Sequence, residues 1–158
     1  MRLFSPDEKI GRFSCFDGRK YREKGYEAVL IDIDNTMTPY DEEEPDQEVR
    51  DFLKGLREAG LLVILLSNNT RQRVERYVKD LDCPYRHMSL KPLSFVYLSL
   101  IREYRLDPKK TVCLGDQLLT DVLGGKILGM HTVYCKPVSD RDNFTGSISR
   151  AIERKLMK

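Results

Sequence analysis

With 158 residues, the chain has room for one domain with a substantial core but not for two. Hydrophobic residues make up 41% of the chain and charged residues 33%, a composition that excludes a disordered protein. The net charge is only +2, and no basic stripe with interleaved aromatic residues occurs, so we expect no nucleic-acid partner.

The apolar segments and the cysteines indicate where the protein resides. The longest apolar run, residues 61–66, is far shorter than the roughly 20 residues of a membrane span, and the N-terminus lacks the apolar segment of a signal peptide. The four cysteines show no CxxC spacing, so we expect a cytoplasmic protein with reduced thiols. Residues 1–25 and 136–158 each carry a net charge of +3, which suits peripheral contact with an anionic membrane as well as ordinary solvated faces.

The first predicted element is an N-terminal helix. Residues 5–8 read SPDE, a capping box with proline at the first helical position. Ile10, Phe13 and Phe16 follow as an apolar stripe, which suits core packing and also contact with a membrane surface.

Beyond this helix, short β-rich runs alternate with helical patterns, which predicts a parallel α/β sheet. Strands are predicted at 27–33, 61–67, 84–88, 111–116 and 131–135. Helices are predicted at 46–59, 71–80 and 92–105, within 120–130 and within 145–158. Thr70 is the predicted N-cap of the second of these helices.

Polar residues stand where ligands bind to an open parallel sheet, at the carboxyl ends of the strands. Seven of them follow a predicted strand or open the next helix: Asp32 and Asp34, Ser67 and Asn68, Lys91, then Asp116 and Asp121. Each of these residues, taken alone, is common in loops or at the ends of helices. Their arrival in this order at successive strand ends predicts one shared site.

The chemistry that these residue types favour is phosphoryl transfer. Asp32 and Asp116 could hold Mg²⁺, which prefers oxygen ligands and offsets the repulsion between carboxylates and an anionic phosphate. Asp32 is then placed to attack phosphorus, and Asp34 to protonate the leaving alkoxide and later activate water. Ser67 could bind phosphoryl oxygens, while Lys91 supplies positive charge to the transition state.

Four segments resemble the motifs of the haloacid dehalogenase (HAD) superfamily of phosphatases. They are LIDIDNTMT at 30–38, LLSN at 65–68, KP at 91–92 and GDQLLTD at 115–121. Together with ISRAIERKL at 148–156 they resemble the YqeG-type branch of subclass IIIA, and the resemblance covers roughly residues 3–156.

The resemblance implies roles for the seven residues. Asp32 would be the nucleophile, and Asp34 the general acid and base. Asp32, the Asp34 carbonyl and Asp116 would ligate Mg²⁺, with Asp121 supporting the metal shell. Ser67 and Lys91, with Asn68 beside them, would bind the phosphoryl group.

The resemblance also implies a fold, a Rossmann-like three-layer α/β/α sandwich with a mainly parallel sheet. We expect one domain over residues 1–158 and no cap domain, because only 24 residues separate Ser67 from Lys91 and the predicted elements account for them. An uncapped cleft suits a large or membrane-bound ester, and it is compatible with a homo-oligomer in which a neighbouring subunit covers it.

The YqeG-type branch is similar to phosphatidylglycerophosphate phosphatases of mitochondria and plastids, which makes this phospholipid the predicted substrate. Other soluble or macromolecular phosphate esters, including a 5′-phosphate end, stay open as alternatives, as does a non-catalytic regulatory or scaffold protein. A phospho-accepting signalling module is disfavoured by the order of the acidic residues, and it has no need of a general acid at Asp34.

Three arginines have open roles. Arg73 falls in the first turn after the second motif, where it could reach a phosphate or form an external salt bridge. Arg150 and Arg154 share one face of the predicted C-terminal helix, where they could bind a lipid headgroup or pair with Glu153 and its neighbours.

Overall fold

The computed structural model describes residues 2–87, 89, 91, 94–140 and 150–155. Within these ranges the strands are β1 (Glu8–Ile10), β2 (Ala28–Asp32), β3 (Leu62–Leu66), β4 (Tyr85–Arg86), β5 (Thr111–Gly115) and β6 (His131–Cys135). The helices are α1 (Gly18–Glu23), α2 (Gln47–Glu58), α3 (Arg71–Val78), α4 (Ser94–Tyr104), α5 (Leu123–Ile127) and α6, described at 150–155. Short helical turns lie at Phe13–Cys15, Pro108–Lys110 and Leu118–Val122, the last of them π-helical.

The strands form one sheet in the order β1-β6-β5-β2-β3-β4, and every neighbouring pair is parallel. The predicted α/β class with a mainly parallel sheet is confirmed. Ile31 of β2 lies opposite Leu65 of β3 and Leu114 of β5. The carboxyl ends of the three central strands therefore lie at the same level.

Helices cover both faces of the sheet, which gives the predicted three layers. Alternate residues of each central strand belong to different buried clusters: Val29 and Ile31 pack with α1, α2 and α3, whereas Leu30 packs with α4. Burial on both faces explains why these strands read as unbroken apolar runs.

Helix α5 lies so close to its neighbours that a Cβ atom at two of its positions would force neighbouring atoms to shift. A Cβ atom at Gly124 would lie 2.7–2.9 Å from atoms of the Tyr97 side chain, and one at Gly125 would lie 2.9 Å from Cys113 Cβ. The Gly-Gly pair therefore lets this helix pack against both α4 and the sheet, next to the loop that follows β5.

The predicted N-terminal helix is wrong, because Glu8–Ile10 form edge strand β1 instead. Glu8 pairs with Val133 of β6, and Asp7 accepts hydrogen bonds from the backbone N–H and hydroxyl of Thr132 at 2.8 and 3.0 Å. Bonds to a distant strand thus replace the local bonds of a capping box. Phe13 and Phe16 are buried in the core, as the core-packing alternative predicts.

The other predicted elements are confirmed with small shifts of their ends. Thr70 accepts a hydrogen bond from the Arg73 N–H at 3.5 Å and caps α3. Pro92 and most of the C-terminal stretch lie outside the described residues. In the described ranges, no helix is both long and apolar enough to cross a membrane.

Replacing Gly124 by alanine is expected to destabilise the fold by about 1–3 kcal/mol, because the new methyl group overpacks the Tyr97 ring. Urea unfolding measures the effect. The matched control is Gly55→Ala in α2, where nothing lies within 4 Å of the added Cβ. That change should stabilise the protein by about 0.5–1 kcal/mol, and equal effects at both glycines would contradict the packing account.

Candidate active site

The predicted site residues converge at the carboxyl edge of the three central strands. Asp32 ends β2, Ser67 follows β3 directly, and Asp116 follows β5 directly. Lys91 reaches the same place from the segment before α4, and Asp121 from the π-helical turn after β5. Six of the seven predicted residues are buried, and Asn68 is exposed.

The chain turns sharply after β2 so that Asp32 and Asp34 both point into the site. Asn35 adopts the left-handed conformation with φ 62°, and its backbone N–H bonds the Thr38 carbonyl at 2.7 Å. The Asn35 side-chain oxygen accepts a hydrogen bond from the Ser139 N–H at 3.1 Å, which ties the turn to the segment after β6. An asparagine suits this position because its short polar side chain tolerates positive φ.

A threonine whose role the sequence left unassigned joins two of the carboxylates. The Thr36 hydroxyl lies 2.9 Å from Asp32 Oδ2 and 2.8 Å from Asp116 Oδ1, and it accepts a bond from the Asp116 N–H at 3.1 Å. In the sequence, the position of Thr36 inside the first motif is the feature that could have indicated this role. Thr36 holds the ends of β2 and β5 together.

Lys91 bridges the predicted nucleophile and the supporting acid. Its ammonium group donates to Asp32 Oδ1 and to Asp121 Oδ1, the latter at 2.6 Å. Burial works to lower the pKa of Lys91, but the charges of Asp121 and Asp32 outweigh it and raise that pKa, so the lysine is charged.

Burial raises the pKa of Asp32 well above its ordinary value, against the opposing charge of Lys91. The pKa of Asp116 is raised to about 6 by burial, and the neighbouring Asp121 charge adds to this effect. Two of the carboxyl groups therefore hold their protons more tightly than free aspartates do. A cation bound between them would reverse that preference.

The acidic cluster has the composition of a divalent-cation site. Carboxylate oxygens of Asp32, Asp116 and Asp121 lie within 4.8 Å of one another. Hard oxygen donors at this spacing fit Mg²⁺, which needs few protein ligands because it keeps several waters. Asp32 and Asp116 stay the predicted carboxylate ligands; Lys91 contacts both Asp32 and Asp121 in this cluster, and Arg150 contacts Asp116.

The glycine before Asp116 makes room for this cluster. A Cβ atom at Gly115 would collide with the carboxylate of Asp121, whose Oδ2 accepts a hydrogen bond from the Gln117 N–H at 3.2 Å. Glycine at position 115 of the fourth motif therefore leaves the space that the side chain of Asp121 occupies when it folds back over the end of β5.

Asp34 is held on the opposite side of Asp32 from Asp116. The Ser67 hydroxyl donates to Asp34 Oδ2 at 2.7 Å, and both Nε and Nη2 of Arg73 donate to Oδ1 at 3.1 and 2.9 Å. Arg73 is therefore part of the site, because its salt bridge is to a buried site residue and not to an external one. Asn68 is exposed, and its side chain binds the backbone N–H of Lys91 at 2.9 Å.

The C-terminal helix contributes a residue that sequence reasoning left open. Arg150 Nη2 lies 2.6 Å from Asp116 Oδ2, so this arginine reaches the acidic cluster. Glu153 Oε1 accepts hydrogen bonds from the backbone N–H groups of Leu118 and Leu119 at 2.6 and 3.1 Å. The sequence places Arg150 and Glu153 on one face of a helix by their spacing, but this spacing does not show which residues they contact.

Comparison with known proteins agrees with this geometry. The sequence model of haloacid dehalogenase-like hydrolases matches residues 15–129. The chain is 30% identical to "Probable phosphatase YqeG" of Bacillus subtilis over 99% of this chain and 91% of that protein. It is 28% identical to glyceraldehyde 3-phosphate phosphatase of Pyrococcus abyssi over 73% of this chain, and it spans 52% of that longer protein.

A solved structure supports the fold alone. An uncharacterized protein from Listeria monocytogenes serotype 4b superposes with a TM-score of 0.58, covering 83% of this chain and 97% of that chain, at 13% identity.

In EDTA, Asp116→Asn is expected to gain stability relative to the wild-type protein as pH rises from about 4 to about 7. The pKa of Asp116 is about 6 in the fold and 3.8 ordinarily, so between these values the unfolded chain releases a proton that the folded chain keeps. Wild-type stability therefore falls over this interval, by on the order of 3 kcal/mol, while a neutral asparagine is unaffected.

Urea unfolding of both proteins at pH 4.5 and 7.5 measures the difference, and the comparison cancels the titration of groups that do not interact with Asp116. A difference in unfolding free energy that stays constant between the two pH values would contradict the raised pKa.

Proposed function

The chain belongs to the haloacid dehalogenase-like hydrolase family and is a phosphatase, and we propose that it hydrolyses phosphomonoesters with Mg²⁺ through an aspartyl-phosphate on Asp32. One observation carries this proposal: Asp32 lies between an acid–base candidate, Asp34, and a buried cation, Lys91, with Asp116 beside it for a metal. Nucleophile, proton donor and charge compensation thus meet at one strand end.

In the first step, an Asp32 carboxylate oxygen attacks phosphorus and the bond from phosphorus to the ester oxygen breaks. Asp34 gives its proton to the departing alkoxide. The Ser67 hydroxyl and the Lys91 ammonium bind the non-bridging oxygens, on which negative charge accumulates. Mg²⁺ held by Asp32, the Asp34 carbonyl and Asp116 would neutralise charge as the anionic phosphoryl group approaches a carboxylate.

In the second step, water attacks the phosphorus of the aspartyl-phosphate while Asp34 takes up the proton of that water. The bond between phosphorus and the Asp32 oxygen breaks, which frees the carboxylate and releases inorganic phosphate. Asp34 is then protonated again and ready for the next ester.

Phosphatidylglycerophosphate is the substrate that we propose, and the surroundings of Asp34 support it. Arg73, the ion-pair partner of Asp34, lines a pocket of about 200 Å³ together with Thr70, Gln72, Arg76 and Glu43. The leaving alkoxide must lie at Asp34, so the rest of the substrate extends into this pocket. Phosphatidylglycerophosphate carries a phosphodiester three carbons from its phosphomonoester. Arg73 and Arg76, which the structure pairs with Asp34 and Glu43, would exchange these carboxylates for such a second anion.

A second anion would also resolve a conflict at Asp34. Nε and Nη2 of Arg73 both donate to Asp34 Oδ1, and a carboxyl group held in this way is poorly placed to deliver a proton. A substrate phosphodiester in the pocket would draw the guanidinium away from Asp34. The substrate itself would thereby free the general acid.

Exposed apolar side chains on the elements that carry site residues support a lipid substrate at a membrane surface. Phe95 and Leu98 lie in the first turns of α4, shortly after Lys91, and are 54% and 48% exposed. Ile152, on the helix of Arg150, is 45% exposed. The alternative is a free three-carbon phosphate, like the one that gives the Pyrococcus relative its name.

Hydrolysis of p-nitrophenyl phosphate is expected to require Mg²⁺, to stop in EDTA, and to fall by about 10³-fold or more in Asp32→Asn. Asp34→Asn should retain Mg²⁺ binding, because the backbone carbonyl stays in place, and lose about 10²–10⁴-fold in kcat, because the side chain can no longer transfer the proton. The matched control is the exposed Asp80→Asn, with wild-type turnover expected. Full activity in Asp32→Asn would refute the nucleophilic role of Asp32, whereas no hydrolysis by the wild-type protein would favour the non-catalytic scaffold.

Phosphate release from phosphatidylglycerophosphate in mixed micelles is expected to exceed that from glycerol 3-phosphate by at least about 100-fold in kcat/KM. The two share the reacting group, so the ratio isolates recognition of the phosphodiester and the lipid. A charge-assisted contact of this kind is worth roughly ten- to a hundredfold, and the exposed apolar residues add to it.

Arg76→Ala should reduce this ratio, because it removes one guanidinium from the pocket. Arg71→Ala is the matched control: it lies on the same helix but pairs with Glu75, outside the pocket. Equal kcat/KM values for the lipid and for glycerol 3-phosphate would discard the lipid substrate and keep the phosphatase chemistry.

A further inference from the structure

We propose that Arg150, delivered by the C-terminal helix, is a working residue of the active site: it occupies Asp116 before Mg²⁺ binds, and it contacts the phosphoryl group afterwards. This inference rests on the proposed metal-dependent phosphatase function and adds to it a substrate-binding residue. The helix lies beyond residue 129, where the match to the family model ends, and Arg150 falls in the segment 148–156 that resembles the YqeG-type branch.

The contact itself is a buried, charge-assisted hydrogen bond. Arg150 Nη2 lies 2.6 Å from Asp116 Oδ2, with the arginine side chain 19% exposed and the aspartate fully buried. The residues are 34 positions apart, so tertiary packing rather than local geometry brings them together. Little solvent screens such a pair.

A second contact fixes the direction in which the helix presents this arginine. Glu153 lies three residues later on the same helical face, is 6% exposed, and binds the N–H groups of Leu118 and Leu119. Those groups belong to the turn that connects Asp116 to Asp121. The helix is thus attached to the metal-site loop at two points, and the guanidinium points at the acidic cluster.

The position of the guanidinium gives it two successive roles. Asp116 Oδ1 already accepts from Thr36, so Arg150 and a divalent cation would compete for Oδ2. Once a cation occupies Asp116 Oδ2, the guanidinium gives up this contact while it still lies beside the acidic cluster, where Asp32 would receive the phosphoryl group. Its planar donors match the non-bridging oxygens of a phosphate.

The test is titration calorimetry on the full chain, with Mg²⁺ alone and then with inorganic phosphate at saturating Mg²⁺. Arg150→Gln is expected to bind Mg²⁺ roughly three- to tenfold more tightly, because a competing cation is gone. The same variant should bind phosphate about tenfold or more weakly, because a charged donor is lost. Arg154→Gln, exposed on the same helix, is the control, with both affinities as in the wild type.

Opposite shifts of the two affinities support the inference, since a helix that merely packs would not tighten Mg²⁺ binding. Unchanged affinities in Arg150→Gln overturn it. A wild-type protein that binds no Mg²⁺ instead refutes the proposed function, so the two failures are distinguishable. If circular dichroism shows that Arg150→Gln does not fold, Glu153→Ala is used, which detaches the helix and should move both affinities in the same directions.

Discussion

The arrangement of the site depends on one electrostatic constraint: four aspartates are buried within one small region at the edge of a parallel sheet. The register of β2, β3 and β5 brings their ends to one level, so Asp32 and Asp116 must be neighbours once the sheet forms. Carboxylates so close together repel and lose hydration, and the raised pKa values of both residues express that cost. The fold tolerates it only because cations are brought in from elsewhere.

Those cations come from three different parts of the chain. Lys91 engages Asp32 and Asp121, Arg73 engages Asp34, and Arg150 engages Asp116. Among the described residues in these ion pairs, four carboxylates therefore face three positive charges. The remaining negative charge suits a divalent cation together with an anionic substrate. The metal would add two positive charges, and the negative phosphoryl group would then offset the resulting excess of positive charge.

Sequence reasoning succeeded where local pattern and function coincide. The apolar runs predicted the central strands, and the strand ends predicted which polar residues would meet, because strand direction alone brings those ends together. It failed for β1, since Glu8–Ile10 are ordered by pairing with a strand more than 120 residues away and no local pattern records that partner. Arg150 was equally inaccessible: its helix was predictable, but the carboxylate that it contacts was not.

The site has two unlike sides, and this determines how a substrate can lie in it. Asp34 and Arg73 stand on the α3 side, next to the pocket, while Asp116 and Arg150 stand on the α6 side. In the proposed mechanism Asp34 contacts the leaving oxygen, so the alcohol portion of the ester would point toward α3 and the phosphoryl oxygens toward Asp116. In-line attack by Asp32 requires just this order, with the leaving group opposite the nucleophile. Arg73 and Arg150, at the two ends of the site, would then contact two different parts of one substrate.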